Sequence, residues 1–219
     1  MRTKNIITFA LFTASALFAR ADSITGFEFT SSSTSWVGGG TTRDITPQDG
    51  HTFGISRNYQ NGVSFSVTDF RNFPNYDWWY LDFGASDASQ LHTGYYMDAT
   101  RFPFNISYDP AVQSTNGLSF YGDGRGDNQL DGWFEVLEAK YAIDGTPIAF
   151  AADFVMYDEN NRNWWNQGEI RYESSIPFSN TVPENASYIT VACSMLCILG
   201  ALKVRRMNDE PTTRSRGGK

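Results

Sequence analysis

The chain has few of the residue types on which catalysis and covalent cross-linking usually depend. It contains two histidines, His51 and His92, and two cysteines, Cys193 and Cys197, in 219 residues. Both cysteines lie in an uncharged segment near the C-terminal end, so residues 22–181 contain none. That absence excludes a disulfide framework and a thiolate zinc site in this region, whose stability must come from packing or from a bound metal.

Basic residues are also scarce in the middle of the chain. Between Asp22 and Ser187 there are 8 lysines and arginines against 22 aspartates and glutamates, a net charge of −14. The whole chain carries only −7, because the remaining basic residues gather at its two ends. Such an acidic surface attracts divalent cations and repels nucleic acid, whose binding needs cationic side chains. We therefore expect no nucleic-acid partner.

A sustained helical period is missing before residue 185, and a two-residue alternation of apolar and polar side chains takes its place. The alternation is clearest in residues 63–68, 78–83, 133–137 and 150–156, and it is typical of half-buried strands. Turn residues separate these segments, and Asn61-Gly62 predicts a two-residue type I′ hairpin. About ten short strands predict a single all-β domain, an antiparallel β-sandwich of the jelly-roll type, with a closed barrel as the alternative.

The N-terminal end has the layout of a secretory signal peptide. Arg2 and Lys4 precede an uncharged stretch of 13 residues, and Ala19-Arg20-Ala21 supplies small residues at the −3 and −1 positions of a cleavage site. Thirteen residues are too few for a permanent membrane anchor. We therefore predict a signal peptide at residues 1–21 and an exported mature chain.

A second uncharged segment, Asn185 to Leu202, precedes a basic tail. Its 18 residues would span about 27 Å as a helix, close to the ~30 Å hydrocarbon core of a bilayer. Lys203 can extend its charged end toward the interface, and the arginines beyond it predict a cytoplasmic tail. We expect a transmembrane helix with the N-terminal domain outside the membrane. A buried helix of the globular domain is the alternative.

The segment from residue 182 to residue 206 resembles a known sorting signal. Val182, Pro183 and Glu184, followed by an apolar segment and by Arg205 and Arg206, are similar to the PEP-CTERM signal of exported bacterial proteins. The resemblance implies that an exosortase, a membrane protease-transpeptidase, recognises Pro183 and Glu184 and processes the chain near them. It also implies an association with extracellular polysaccharide and biofilm matrix.

Two features depart from the PEP-CTERM pattern. Asn185 stands where the second proline would be, and 13 residues follow Arg206. A single-pass membrane protein of the same orientation is the alternative. With either interpretation, the predicted organisation is a signal peptide (1–21), a β-sandwich ectodomain (22–181), a sorting or transmembrane segment (182–206) and a basic cytoplasmic tail (207–219).

The middle of the chain resembles an uncharacterised family of bacterial secreted β-domains. In that family, cysteines commonly follow a Gly-Arg-Gly sequence and an Ala-Asp-Phe strand, and their pairing would form a disulfide. Asp127 and Asp158 stand at those positions here. The similar segments are residues 94–104, 122–128, 132–138, 150–154 and 168–172. The resemblance names no activity.

Two pairs of adjacent tryptophans are candidates for glycan contact. Trp78-Trp79 and Trp164-Trp165 each place one ring on either face of a strand, so we expect one ring of each pair in the core. The other ring can stack on a sugar, because an aromatic face complements the C–H patches of a carbohydrate.

Asp123, Asp127 and Asp131 place carboxylate oxygens close together in sequence and are weak candidates for a calcium site. Calcium takes six to eight oxygen ligands, and this spacing does not match an EF-hand loop. A solvated turn is the simpler interpretation, and no cofactor is expected. Within the same stretch, Arg125-Gly126-Asp127 matches a cell-adhesion tripeptide, which we interpret as a glycine turn.

No catalytic constellation is visible in the sequence. Paired carboxylates for glycoside hydrolysis would have to come from Glu135, Glu138, Asp153 or Glu169, and the first two face opposite sides of a strand. We therefore expect a non-catalytic cell-surface or extracellular-matrix protein that depends on export and sorting machinery and contacts exopolysaccharide. The alternatives are a carbohydrate-active hydrolase and a structural domain stabilised by a bound metal ion such as Ca²⁺.

Overall fold

The computed structural model describes residues 23–71, 74 and 76–179. The chain divides into two units, Met1–Ile176 and Pro177–Lys219. Only residues 177–179 of the second unit are described, and they form no helix or strand. The predicted signal peptide, the sorting or transmembrane segment and the basic tail all lie outside the described residues. Within the described part of the chain, no helix has the length and apolar character needed to cross a bilayer.

The first unit is all-β, as the alternation predicts. Its described residues form ten strands and a single turn of 3-10 helix at Pro47–Asp49. The strands are β1 (Ile24–Ser31), β2 (Thr42–Ile45), β3 (Thr52–Arg57), β4 (Val63–Asp69), β5 (Asp77–Gly84), β6 (Gly94–Arg101), β7 (Gly117–Gly122), β8 (Leu130–Tyr141), β9 (Pro147–Asp158) and β10 (Trp165–Ser174).

All ten strands belong to one hydrogen-bonded sheet, in the order β2-β1-β10-β9-β8-β6-β7-β5-β4-β3. Neighbouring strands are antiparallel except β6 and β7, which run parallel and pair at two positions, Thr100 with Gly117 and Arg101 with Leu118. The structure therefore confirms the all-β class. It does not confirm the finer prediction of an antiparallel sandwich, because the described strands form one continuous mixed sheet.

The sheet curls until the inner faces of distant strands meet. Phe29 on β1 contacts Phe120 on β7 with ring centroids 5.1 Å apart, and Phe65 on β4 lies 5.6 Å from Phe150 on β9. The alternation in β4 buries Val63, Phe65 and Val67 and leaves the intervening side chains partly exposed. Burying an apolar side chain of this size contributes about 1.5–3 kcal/mol, so the core in the curl is the main source of stability.

The predicted two-residue hairpin at Asn61-Gly62 is wrong. Strand β3 ends at Arg57 and β4 begins at Val63, so the connection contains the five residues 58–62. Asn61 has the positive φ of 58° that its residue type tolerates. Gly62 is needed for space, because a Cβ atom there would lie 1.9 Å from the carbonyl oxygen of Phe83.

Candidate functional site

A groove of about 810 Å³ lies beside the pairing of β6 with β7, which contains only two residue pairs in the described sheet. Residues 58–59 border it, as do the cis-proline segment at Phe102-Pro103 and the loop of residues 124–128. Its floor includes the outer face of β4, β5 and β7, where side chains alternate with those of the core.

Two sets of contacting aromatic rings lie at the groove. The ring centroid of Tyr80 lies 5.6 Å from Trp78 in an edge-on arrangement and 5.4 Å from Tyr121 in a stacked one. Trp78 and Tyr121 line the groove, as does Tyr59, which is 72% exposed. Tyr59 in turn contacts Phe102, with 5.4 Å between ring centroids. An exposed arrangement of this kind offers several flat apolar faces to one ligand.

The four predicted glycan-contact tryptophans have different environments. Trp78 lines the groove, whereas Trp79 is 1% exposed and stacks on Phe120 in the core, as expected for adjacent residues of a strand. Trp164 and Trp165 are both half-buried, so this second pair does not place one ring in the core. The lining of the groove includes neither of them.

Asp127 is a buried carboxyl group at the edge of this groove. Among the described residues, neither of its oxygens receives a hydrogen bond from an N–H or hydroxyl donor. Its neighbour is the carboxylate of Asp158, to which protonated Asp127 can donate a hydrogen bond. Burial, the negative charge of Asp158 and that hydrogen bond together raise the pKa of Asp127 to about 8.

Asp158 itself is fully buried and well supplied with donors. Its carboxylate accepts hydrogen bonds from the Ser35 hydroxyl at 2.8 Å, from the backbone N–H groups of Trp36 and Val37 at 2.6 and 3.1 Å, and from the Asn166 amide. Both oxygens of the Asp158 carboxylate therefore have donors, whereas those of Asp127 have none among the described residues. The proton of the pair therefore belongs on Asp127.

A second carboxyl group, Asp82, lies on the groove floor. It accepts a hydrogen bond from the Ser64 hydroxyl, and burial raises its pKa above the ordinary value despite that bond. Because of their raised pKa values, Asp82 and Asp127 have a greater tendency to hold protons than surface carboxylates do.

The structure does not bring the three candidate calcium ligands together. Asp123 accepts a hydrogen bond from the backbone N–H of Trp78 at 3.2 Å, and Asp131 pairs with Arg162 at 2.6 Å. Asp127 faces Asp158 instead. Within the described ranges, no group of three or more histidine, cysteine, aspartate or glutamate side chains has the geometry of a metal site.

The Arg125-Gly126-Asp127 tripeptide forms part of a tight turn. Gly122 and Arg125 exchange backbone hydrogen bonds of 2.8 and 3.0 Å, and Asp127 is 8% exposed. A buried aspartate is unavailable to a receptor, so the interpretation of this sequence as a glycine turn fits the structure.

Three of the candidate hydrolase carboxylates lie side by side on neighbouring strands. Glu135 on β8 is opposite Asp153 on β9, which is opposite Glu169 on β10. Arg171 is buried between the last two and bonds both, at 2.8 Å each. These carboxylates line no part of the groove, and the shared guanidinium fits a structural ion-pair network.

Glu138, the fourth candidate, lies apart from these residues. Burial acts to raise its pKa, but hydrogen bonds from Lys140, from the Ser174 hydroxyl and from the Ser175 backbone lower it to about 2. A carboxyl group that stays ionised in this way cannot act as a general acid near neutral pH.

No family model, no curated protein and no solved structure matches this chain. Sequence patterning identified Trp78 as a candidate contact and missed Tyr59, Tyr121 and Asp82. The sequence signal for this surface was the set of outward-facing positions of β5, which carry Trp78, Tyr80 and Asp82.

Proposed function

We propose that this protein is a non-catalytic, exported cell-surface or extracellular-matrix protein that contacts exopolysaccharide through the aromatic groove. The observation that carries the proposal is the contact of Trp78, Tyr80 and Tyr121 on the outer face of the sheet, beside exposed Tyr59. Outer-face aromatic rings cost solubility unless a ligand covers them, and sugar rings supply the matching C–H surfaces.

The location of the protein is part of the same proposal. The signal-peptide layout of residues 1–21 supports export, and the motif and apolar segment of residues 182–206 support anchoring in the membrane or sorting by the export machinery. The acidic composition of residues 22–187 favours solubility in an exposed setting. We also propose that the curled sheet is a jelly-roll-like sandwich. The facing inner surfaces of distant strands support this.

Binding measurements on the full-length protein in detergent micelles test this proposal. The probes are soluble bacterial and plant polysaccharides, immobilised or included in native gels. We expect Trp78→Ala to weaken binding by roughly fivefold to tenfold, the equivalent of about 1–1.4 kcal/mol. Trp36→Ala is the matched control, because Trp36 is 60% exposed and does not line the groove. The proposal fails if no polysaccharide binds, or if the two variants behave alike.

A hydrolase acting on the same polysaccharide is the second candidate, and the carboxyl groups of Asp82 and Asp127 favour it. Both line the groove and both have raised pKa values, which is the property of a general acid. Release of new reducing ends during the binding experiments, lost in Asp127→Asn, would replace the binding proposal with a catalytic one.

A further inference from the structure

The arginines of the groove differ from most basic residues of the domain. Eight lysines and arginines lie in the described residues, and five form ion pairs: Arg43, Arg71, Lys140, Arg162 and Arg171. Within the same described set, the other three have no carboxylate within 4 Å: Arg57, Arg101 and Arg125. Two of these three, Arg101 and Arg125, line the groove.

Unpaired arginines are unexpected in so acidic a domain. With 22 acidic residues against 8 basic ones, a guanidinium group readily finds a carboxylate unless the fold holds it elsewhere. Arg101 is held by stacking, 5.1 Å from the ring centroid of Phe104, and by a 3.3 Å hydrogen bond to the carbonyl oxygen of Asn128. Arg125 lies 5.9 Å from the ring centroid of Trp79. These contacts leave N–H donors of both guanidinium groups for a ligand.

Of the two carboxyl groups beside these arginines, Asp127 does not cancel their charge at neutral pH. Burial raises the pKa of Asp82, and it raises that of Asp127 to about 8 together with the charges of Asp158 and Glu159, while Arg101 acts to lower it. At neutral pH Asp127 therefore holds its proton and can donate hydrogen bonds. Even with Asp82 ionised, the two arginines outnumber the one charged carboxylate of the groove, so the groove is less negative than the rest of the domain.

A second cavity of about 490 Å³ extends the groove beyond Arg101. The two cavities share Arg101, Asn128 and Leu130, and the second is also lined by Phe104 and Asn160. Arg101 thus stands at the junction of two compartments, each with an aromatic ring and amide groups. A ligand that fills both cavities is an extended chain that passes Arg101. The second cavity is also lined by Asp131, whose carboxylate pairs with Arg162, so we expect any negative charge of such a ligand to lie at Arg101.

We infer that the groove binds an acidic polysaccharide, whose sugar rings stack on Trp78 and Tyr121 and whose carboxylate groups are bound by Arg101 and Arg125. This inference rests on the proposed carbohydrate function and adds the charge of the ligand to it. A planar guanidinium group matches a carboxylate with two parallel hydrogen bonds. The groove offers two cationic side chains, whereas nucleic-acid binding usually depends on several phosphate contacts, so a polysaccharide is the better match.

The test compares polygalacturonate with the same polymer after full methyl esterification, which removes the charge and keeps the sugar rings. Full-length protein in detergent micelles is titrated with each. We expect the acidic polymer to bind about tenfold more tightly at low salt, with the difference shrinking as salt rises. Arg101→Gln and Arg125→Gln should each lose most of this preference and keep their binding to the ester. Arg57 is exposed, forms no ion pair with the described carboxylates and lies outside the groove. Arg57→Gln should therefore keep the preference of the native protein for the acidic polymer.

Each outcome has a defined meaning. Equal binding of the acid and the ester by the native protein overturns the inference and leaves the carbohydrate proposal intact. If neither polymer nor any other polysaccharide binds, the proposed function itself fails. Tighter binding of an oligothymidylate than of polygalacturonate would assign the groove to single-stranded nucleic acid and overturn both. Retained ester binding by the arginine variants shows that they are folded, so a lost preference cannot be attributed to unfolding.

Discussion

The carboxyl group of Asp127 is buried beside the carboxylate of Asp158, whose negative charge helps to raise the pKa of Asp127. The two residues are distant in sequence and neighbours in space, at positions where the resemblance to secreted β-domains implies a pair of cysteines. Asp158 has donors from Ser35, Trp36, Val37 and Asn166, and Asp127 has none among the described residues. The raised pKa of Asp127 therefore places a proton between the two buried carboxyl groups.

Replacing Asp127 with asparagine should remove a pH dependence of stability. The pKa of Asp127 is raised to about 8 in the folded state, so the folded protein holds a proton that the unfolded chain releases above about pH 4. Native stability should therefore fall as the pH rises from about 4 to about 8. The amide group of the variant can donate to Asp158 at any pH. At pH 8.5, Asp127→Asn should therefore unfold at a temperature roughly 3–6 °C higher than the native protein does.

Thermal unfolding followed between pH 5 and pH 9 checks this expectation. Asp98→Asn is the control, because Asp98 is exposed and its positive φ of 53° suits asparagine. Parallel stability curves for the native protein and Asp127→Asn would contradict the assignment of the proton to Asp127.

Replacing both aspartates with cysteine should produce a disulfide. The carboxyl groups of Asp127 and Asp158 are close enough to interact, so we expect thiols at these positions to be able to pair. A cross-link of this loop length stabilises a domain by about 2–4 kcal/mol. The measurement is the thermal midpoint of the double variant with and without reductant, in a background where Cys193 and Cys197 are replaced by serine. Failure to lose two thiols on oxidation would show that the two positions are not oriented for a bridge.

Removing the guanidinium group of Arg171 should be strongly destabilising. The side chain is buried and bonds the carboxylates of Asp153 and Glu169, and the row of acidic side chains continues to Glu28 on β1 and Glu135 on β8. Breaking a buried ion pair from one side costs about 3–5 kcal/mol, because the partner charges stay buried. Arg171→Met should therefore lower the free energy of unfolding by that amount near pH 7.

The loss in Arg171→Met should shrink at about pH 4, since burial raises the pKa of Asp153 and of Glu28 and both then take up protons. Urea unfolding at the two pH values measures the difference. Arg57→Met is the control, since Arg57 is exposed and makes no ion pair with the described carboxylates. An equal loss at both pH values would mean that packing rather than charge accounts for the effect.

Local patterning predicted the strands well because burial in a sheet repeats every two residues. Val63, Phe65 and Val67 were assigned to the inner face from that period alone, and they are buried. The period does not specify which strands pair, and the contact of Phe29 with Phe120 joins strands distant in the sequence. The strand order of the ten-stranded sheet follows from such long-range pairing.

The site was less predictable than the strands because loops build most of it. Trp78 was identified from its strand, but Tyr59, Arg101 and Arg125 come from three separate segments that only the folded chain brings together. The role of Gly62 in its turn was also only partly predictable from the sequence. Its dipeptide predicted positive φ angles, whereas the close approach of the Phe83 carbonyl is what requires glycine there.

A final prediction concerns Gly122, the last residue of β7, and Gly126, in the loop that borders the groove. A Cβ atom at Gly122 would lie 2.3 Å from the carbonyl oxygen of Trp78 and 2.4 Å from the ring of Trp79, so one of them must shift. At Gly126 the nearest neighbour would be the Tyr121 Cβ atom, at 3.4 Å, which is ordinary contact. Gly122→Ala should therefore cost about 1–3 kcal/mol of stability, and Gly126→Ala should stay within about 0.5 kcal/mol of the native protein. Urea unfolding of the two variants measures both values.

Gly122→Ala should also weaken polysaccharide binding, because a shift of Trp79 moves its neighbour Trp78. Equal binding of polysaccharide by Gly122→Ala and Gly126→Ala would show that the aromatic rings of the groove tolerate that movement.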